Sequence, residues 1–258
     1  MYTTLKLTFE GKIATLTLCR TEKRNAINQQ LIDEFLAALE EVEKSPAQVM
    51  ILTGEGKAFC AGLDLDELQA LVAQTTEENQ RHSQRIATLC SSLYYFPKTT
   101  IAAVNGAAIA GGTGLATLCD FTLASTAASF GYTEVRIGFV PAIVSAFLLR
   151  QVGEKHARDL LLTGRIITAE EAYRMGLVNE VVEPPNLLPG AQQLAEQLLE
   201  NSPASLRATK ALLRDYVKDG LERDILSGMH ANASVRKSAD FEEGVRSFLE
   251  RRKPRWSE

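Results

Sequence analysis

The chain of 258 residues has no uninterrupted apolar run long enough to span a membrane. Its most apolar region, Thr99 to Ser125, is broken by Asn105, several glycines and Asp120, and so reads as core. Cysteine is scarce. Cys19, Cys60, Cys90 and Cys119 show no C-x-x-C spacing, and each sits among apolar neighbours, where cysteine behaves as a small hydrophobe. His82, His156 and His230 lack H-x-x-x-H or H-E-x-x-H spacing, so no metal site is expected. Basic residues are in deficit: the formal charge of -4 argues against a nucleic-acid surface. The opening Met-Tyr-Thr-Thr-Leu-Lys lacks the basic segment and apolar run of a secretory signal, which makes the cytoplasm the expected location.

What is present describes an ordinary globular protein. Apolar residues make up 45% of the chain and charged residues 23%, and the length suits one large α/β domain with a helical appendage. Leu5, Leu7 and Phe9, then Ala14, Leu16 and Leu18, alternate with other residues around Glu10-Gly11-Lys12, the pattern of a β-hairpin. Apolar residues at helical spacing predict a helix from Gln29 to Lys44, stopped by Ser45-Pro46. Gln48 to Thr53 then reads as a buried strand, Asp64 to Ala73 as a helix start, Glu77 to Tyr95 as a helix and Thr99 to Val104 as a second strand. Gly112 to Cys119 and Phe121 to Ala124 repeat the unit. Past about residue 141 the pattern predicts helices only: Ala142 to Val152, Glu154 to Leu162, Ala169 to Met175 with a Thr168-x-x-Glu171 capping box, Pro189 to Glu200 and Ser205 to Val217. Basic residues gather in this tail, Arg214, Arg223, Arg236, Lys237, Arg246, Arg251, Arg252, Lys253 and Arg255 among them. They read as a solvated helix face, or as a surface for an anionic ligand or a neighbouring subunit.

Two glycine-bearing segments about fifty residues apart carry the chemistry: Gly54-Glu-Gly-Lys-Ala-Phe-Cys-Ala-Gly-Leu-Asp-Leu65 and Asn105-Gly-Ala-Ala-Ile-Ala-Gly-Gly-Thr-Gly-Leu115. Each follows an apolar strand, and each offers backbone N–H groups free of side-chain obstruction. Two such donors converging on one oxygen would form an oxyanion hole for an acyl carbonyl, each worth roughly 3 kcal/mol to a developing negative charge. A dinucleotide site at Gly112-Thr-Gly-Leu-Ala-Thr117 is disfavoured, because the third glycine of G-x-G-x-x-G is absent.

With these elements in order, the chain resembles the crotonase family, also called the enoyl-CoA hydratase/isomerase family. The resemblance runs over essentially the whole length. It rests on Arg20-Thr-Glu-Lys-Arg-Asn-Ala-Ile-Asn28, Ala58 to Leu65, Pro97 to Gly106, Cys119-Asp120, Leu161-Leu-Thr-Gly164, Ala169 to Val178 and the closing Arg252-Lys-Pro-Arg-Trp256. It implies an α/β fold built as a crotonase-like ββα spiral over residues 1–195, and a helical C-terminal region, 196–258, for assembly into a homotrimer or a hexamer of two trimers. It also implies an acyl-CoA thioester as substrate, with coenzyme A entering only as part of it, no separate cofactor, and a place in fatty acid metabolism. By position the oxyanion donors would be the amides of Leu63 and Gly111. The coenzyme A moiety would lie along Ala58, Ala61, Leu63, Asp64, Leu65 and Gly111, with Lys23 and Arg24 near its phosphates.

Hydratases of this family use two glutamates. The second matches Glu134, in Ser129-Phe-Gly-Tyr-Thr-Glu134, and is the expected acid–base residue; a salt bridge to Arg136 would be its structural alternative. The first position holds Gly114. With one carboxylate, hydration of an enoyl thioester is the favoured expectation, double-bond isomerisation the next, and thioester hydrolysis a third. A non-catalytic acyl-CoA-binding assembly subunit is the alternative outside enzymology. Ile143 and Val144 stand where many hydratases are glycine-rich, which predicts a bulkier acyl pocket suited to a short or branched chain.

Overall fold

The computed structural model describes residues 2–257. Among the described residues, two sheets and ten α-helices follow one another along the chain. β1 (Leu5–Glu10) and β2 (Ile13–Leu18) form the expected hairpin, joined through Gly11, and α1 (Gln29–Lys44) follows with Asn28 as its N-cap. Three similar turns come next. The first runs β3 (Val49–Gly54), β4 (Ala58–Cys60), α2 (Leu65–Ala73) and α3 (Thr76–Tyr94). The second runs β5 (Thr99–Val104), β6 (Ala107–Ile109) and α4 (Gly111–Thr117). The third runs β7 (Phe121–Ser125), β8 (Ser129–Gly131), a 3₁₀ turn at Glu134–Ile137 and α5 (Ala142–Thr163).

In each turn the longer strand joins the large sheet and the shorter one joins a small second sheet. In the large sheet β2, β3, β5 and β7 lie parallel and side by side, so Leu16, Leu52, Ala102 and Thr122 share one row. In the small sheet β4, β6 and β8 do the same, with Ala107 beside both Ala58 and Ser129. A strand buried on both faces reads as a continuous apolar run, because alternate side chains serve two different cores. Within β3, Met50 and Leu52 pack with Phe35, Phe59 and Phe130, while Val49 and Ile51 pack beneath α7 (Leu187–Leu199).

The last third is not purely helical. β9 (Ile167–Thr168) pairs antiparallel with β8, and β10 (Glu180–Val182) pairs parallel with β7, so each sheet gains an edge after α5. Two or three residues are too few to show alternation, which is why the sequence pattern does not reveal them. The two helices expected before residue 163 are one run broken at Gly153, whose φ of 72° departs from the helix. At α6 (Ala169–Arg174) only half of the predicted capping box forms. Thr168 accepts from the Glu171 amide, but the Glu171 carboxylate turns to Arg165 at 2.6 Å. A complete box sits instead at Thr75 and Glu78. The remaining helices are α8 (Pro203–Asp215), α9 (Lys218–Val235) and α10 (Ala239–Leu249); α9 packs on α3 and α5, and α10 on α2 and the 3₁₀ turn. Glu243 of α10 accepts from the Arg255 amide at 2.8 Å and from the Arg252 guanidinium, which fastens the final segment. No described helix is long and apolar enough to cross a membrane.

Stacked turns demand glycine where backbone meets backbone. A Cβ on Gly112 would collide with the carbonyl of Cys60 in the turn below, and backbone cannot swing aside as a side chain can. Gly112→Ala is therefore expected to cost about 3 kcal/mol, read as a lower urea midpoint. An unchanged midpoint would show that the turns are not in rigid contact.

Candidate active site

Pairing of β4 with β6 sets the residues that follow these strands side by side. Ile27 then forms a bridge with the first segment: its amide donates to the Gly62 carbonyl at 2.7 Å, and its carbonyl accepts from the Asp64 amide at 2.8 Å. Consecutive amides of an extended chain point to opposite sides, so the Leu63 N–H, between them, faces away from Ile27. Gly62 makes this possible. Its φ of +84° is a left-handed conformation, and a Cβ there would lie 2.8 Å from the Ile109 carbonyl and 3.6 Å from the Gly111 nitrogen.

Gly111 supplies the second amide. It is the first residue of α4, so its N–H has no partner within the helix and lies at the positive end of the helix dipole. Ala110 before it adopts φ 52°, ψ −122°, a costly conformation for a residue with a Cβ. Neighbours hold it: the Ala110 amide donates to the Gly131 carbonyl at 2.7 Å, and the Thr113 hydroxyl donates to the Ala108 carbonyl at 2.6 Å while accepting from the Gly131 amide.

Leu63, Gly111 and Glu134 all line one cavity of about 400 Å³. Glu134 begins the 3₁₀ turn after β8 and is only 8% exposed. Its Oε2 has no hydrogen-bond partner among the described residues, and it makes no ion pair with Arg136. Burial without a compensating cation pushes its carboxyl up to about 7. A carboxyl poised there can both take and return a proton near neutral pH.

The position three residues beyond Gly111 is closed to a side chain. A Cβ on Gly114 would lie 2.7 Å from Cγ1 of Val144, on the first turn of α5. Val144 thus fills the place in which a second carboxylate would begin, and with Ile143 it forms part of the cavity wall.

Of the other residues read from sequence, Ala61 and Leu65 line the cavity, whereas Lys23, Arg24, Ala58 and Asp64 do not. Asp64 is buried, pairs with Arg20 at 2.8 Å and caps α2. Lys23 pairs with Asp66 at 2.9 Å on the surface, and Arg24 is exposed on a left-handed turn. Ala58 is buried within the small sheet. Among the described residues no cluster of His, Cys, Asp or Glu could hold a metal.

The cavity also takes in His82 and Asn232, which the sequence did not place at the site, and Arg236, which it placed only in the basic tail read as a solvated face or as a surface for an anionic ligand or a neighbouring subunit. Arg236 is 3% exposed, not part of a solvated face. A signal existed. His82 continues the helical row of Ile86, Leu89 and Leu93, and Asn232 and Arg236 continue that of Leu221, Ile225 and Gly228, so these polar side chains point where apolar ones are buried.

Residues 8–258 match the model of the enoyl-CoA hydratase/isomerase family. A Thermus thermophilus protein is 46% identical over 96% of this chain and 98% of its own. A protein of Syntrophomonas wolfei named crotonyl-CoA hydratase is 36% identical over 98% of this chain and 97% of its own. The crystal structure of an enoyl-CoA hydratase/isomerase from Xanthobacter autotrophicus superposes with a TM-score of 0.91 at 28% identity, covering 100% of both chains. The paired amides, the buried Glu134 carboxyl beside them and the stacked turns that place them are therefore those of a member of the enoyl-CoA hydratase/isomerase family, to which this chain belongs.

Proposed function

We propose that the protein hydrates a short or branched 2-enoyl-CoA thioester. One observation carries the reading: a buried carboxyl, pushed up to about 7, shares a cavity with two backbone amides that have no protein acceptor among the described residues. The Glu134 carboxylate takes a proton from water as the water oxygen bonds to C3. The C2=C3 electrons shift onto the thioester oxygen, where the Leu63 and Gly111 amides receive the charge. Collapse of the enolate then returns the proton from Glu134 to C2. The Syntrophomonas wolfei relative, named for a four-carbon enoyl thioester, and the closure of the wall by Ile143 and Val144 support a short chain. This chemistry uses no cofactor beyond the coenzyme A of the substrate, whose phosphates we place near Lys23 and Arg24. Exposed Leu212, Leu213 and Tyr216 on and just after α8 support self-association through the C-terminal helices, and we expect a homotrimer or a pair of trimers.

Val144 against Gly114 favours a second reading, double-bond isomerisation. There Glu134 alone would remove a proton from C2 of a 3-enoyl thioester and return it to C4, with no water to position.

Glu134→Gln is expected to lower kcat/KM by about 100- to 10,000-fold with an unchanged circular dichroism spectrum; near-wild-type turnover would refute the assignment. In the unsubstituted enzyme kcat/KM should rise with pH through about 7, since the base works ionised. Stability moves the other way. The folded carboxyl titrates above its ordinary 4.5, so folding favours the protonated form and stability falls as pH rises toward and through 7. Glu134→Gln should accordingly raise Tm at pH 8 more than at pH 4. Incubation of 2-enoyl-, 3-enoyl- and 3-hydroxyacyl-CoA in deuterated water separates the two reactions by mass: hydration adds a water, and isomerisation shifts the double bond with none added.

A further inference from the structure

The guanidinium of Arg236 lies in the wall of the cavity that holds Glu134 and has no carboxylate within 4.0 Å among the described residues. Its donors can be counted. One terminal nitrogen donates to the backbone carbonyl and side-chain oxygen of Asn79, at 3.2 and 3.1 Å. The other donates to Oδ1 of Asn232 at 2.6 Å and meets Nδ1 of His82 at 3.1 Å. An arginine can only donate, so His82 Nδ1 must carry a lone pair and the imidazole is neutral, its proton on Nε2. Burial and the nearby Arg236 and Arg85 charges hold its pKa down to about 4, in keeping with this. Four of the five guanidinium protons thus face neutral acceptors, and the fifth, on Nε, has no partner among the described residues.

This is an unusual expense for a fold. Arg236 is 3% exposed, its guanidinium stacks over Phe139 at 5.6 Å, and burial lowers its pKa only to about 10, so it remains charged at neutral pH. A buried cation normally has an anion beside it. The cluster does tie α3 to α9, but neutral side chains would make such a tie without desolvating a charge. The rest of the cavity is largely apolar, with Leu68, Ile86 and Val144 in its wall. A few polar groups in an apolar pocket are what fixes the orientation and chemistry of a ligand. Glu134 lines the same cavity and Glu67 lies 3.9 Å from His82 Nε2, but neither comes within 4.0 Å of the guanidinium, and the thioester oxygen already has Leu63 and Gly111, which leaves the rest of the substrate to supply the anion.

We infer that Arg236, oriented by Asn79, His82 and Asn232, receives a carboxylate at the distal end of the acyl chain, so that the preferred substrate is the mono-thioester of an unsaturated dicarboxylic acid. The inference rests on the enoyl thioester reading above and deepens it. Arg236 would bind substrate as Glu134 acts on C2 and C3 of the same chain. The fixed fork of the guanidinium suits a carboxylate in a way that an ammonium does not.

The test compares 2-enoyl-CoA substrates of matched length ending in a carboxylate or in a methyl group. The native protein is expected to favour the carboxylate in kcat/KM by about tenfold or more. Arg236→Gln should bring that ratio to one or below, and Arg236→Lys should restore it only in part. A second measurement needs no variant: calorimetric binding of saturated ω-carboxyacyl-CoA against saturated acyl-CoA to the native protein, with the same tenfold preference expected. Turnover of both enoyl substrates with no carboxylate preference would overturn the inference and leave the enzymatic reading intact. Tighter binding of the saturated carboxylated thioester with no turnover of any enoyl thioester would support the inference while refuting the proposed reaction.

Discussion

Backbone packed directly on backbone is the constraint on which the rest of the molecule depends. The short strands β4, β6 and β8 lie in one small sheet, each at the corner of a turn, and the corners touch with no side chains between them. Gly62 and Gly112 mark these contacts, where a single methyl group would meet a carbonyl of the adjoining turn. The consequence is chemical. Because the turns cannot slide apart, the amides of Leu63 and Gly111, 48 residues apart in the chain, are fixed beside one another before any ligand arrives. Strain at Ala110 belongs to the same arrangement, held by hydrogen bonds from β6, α4 and β8.

The third turn supplies what the first two lack. Its 3₁₀ turn carries Glu134 into the cavity, and α10 packs on that turn so closely that a Cβ on Gly138 would strike the backbone of Asp240. Burial that raises the carboxyl toward neutrality also makes its ionised form costly, so catalytic readiness is held against stability. The helices after residue 196 contribute directly to the cavity through Asn232, Arg236 and Phe248. Two ionisable groups are thus buried in one space: one poised to gain and lose a proton, the other fixed and without a carboxylate within 4.0 Å among the described residues.

Much of this was legible in the residues. Helix α1 falls on the predicted Gln29–Lys44, and Gly153 divides α5 where two helices were expected, because apolar spacing and helix-stopping residues act locally. The strands β9 and β10 were not legible, being shorter than the pattern that would betray them. Glu171 could serve Thr168 or Arg165 equally well by sequence, and only the placement of Arg165 decides.

The sequence by itself determined the repeating strand–glycine–helix plan, the two donor segments, the lone Glu134 and the vacancy at Gly114, since each is a matter of residue type and local spacing. Tertiary structure alone decided what occupies that vacancy, namely Val144 from thirty residues further along the chain, and that Arg236 leaves the basic tail to enter the cavity. The reason is physical. A side chain's charge and shape are written in its own codon, but its burial and its neighbours arise only when distant helices and turns close around the same space.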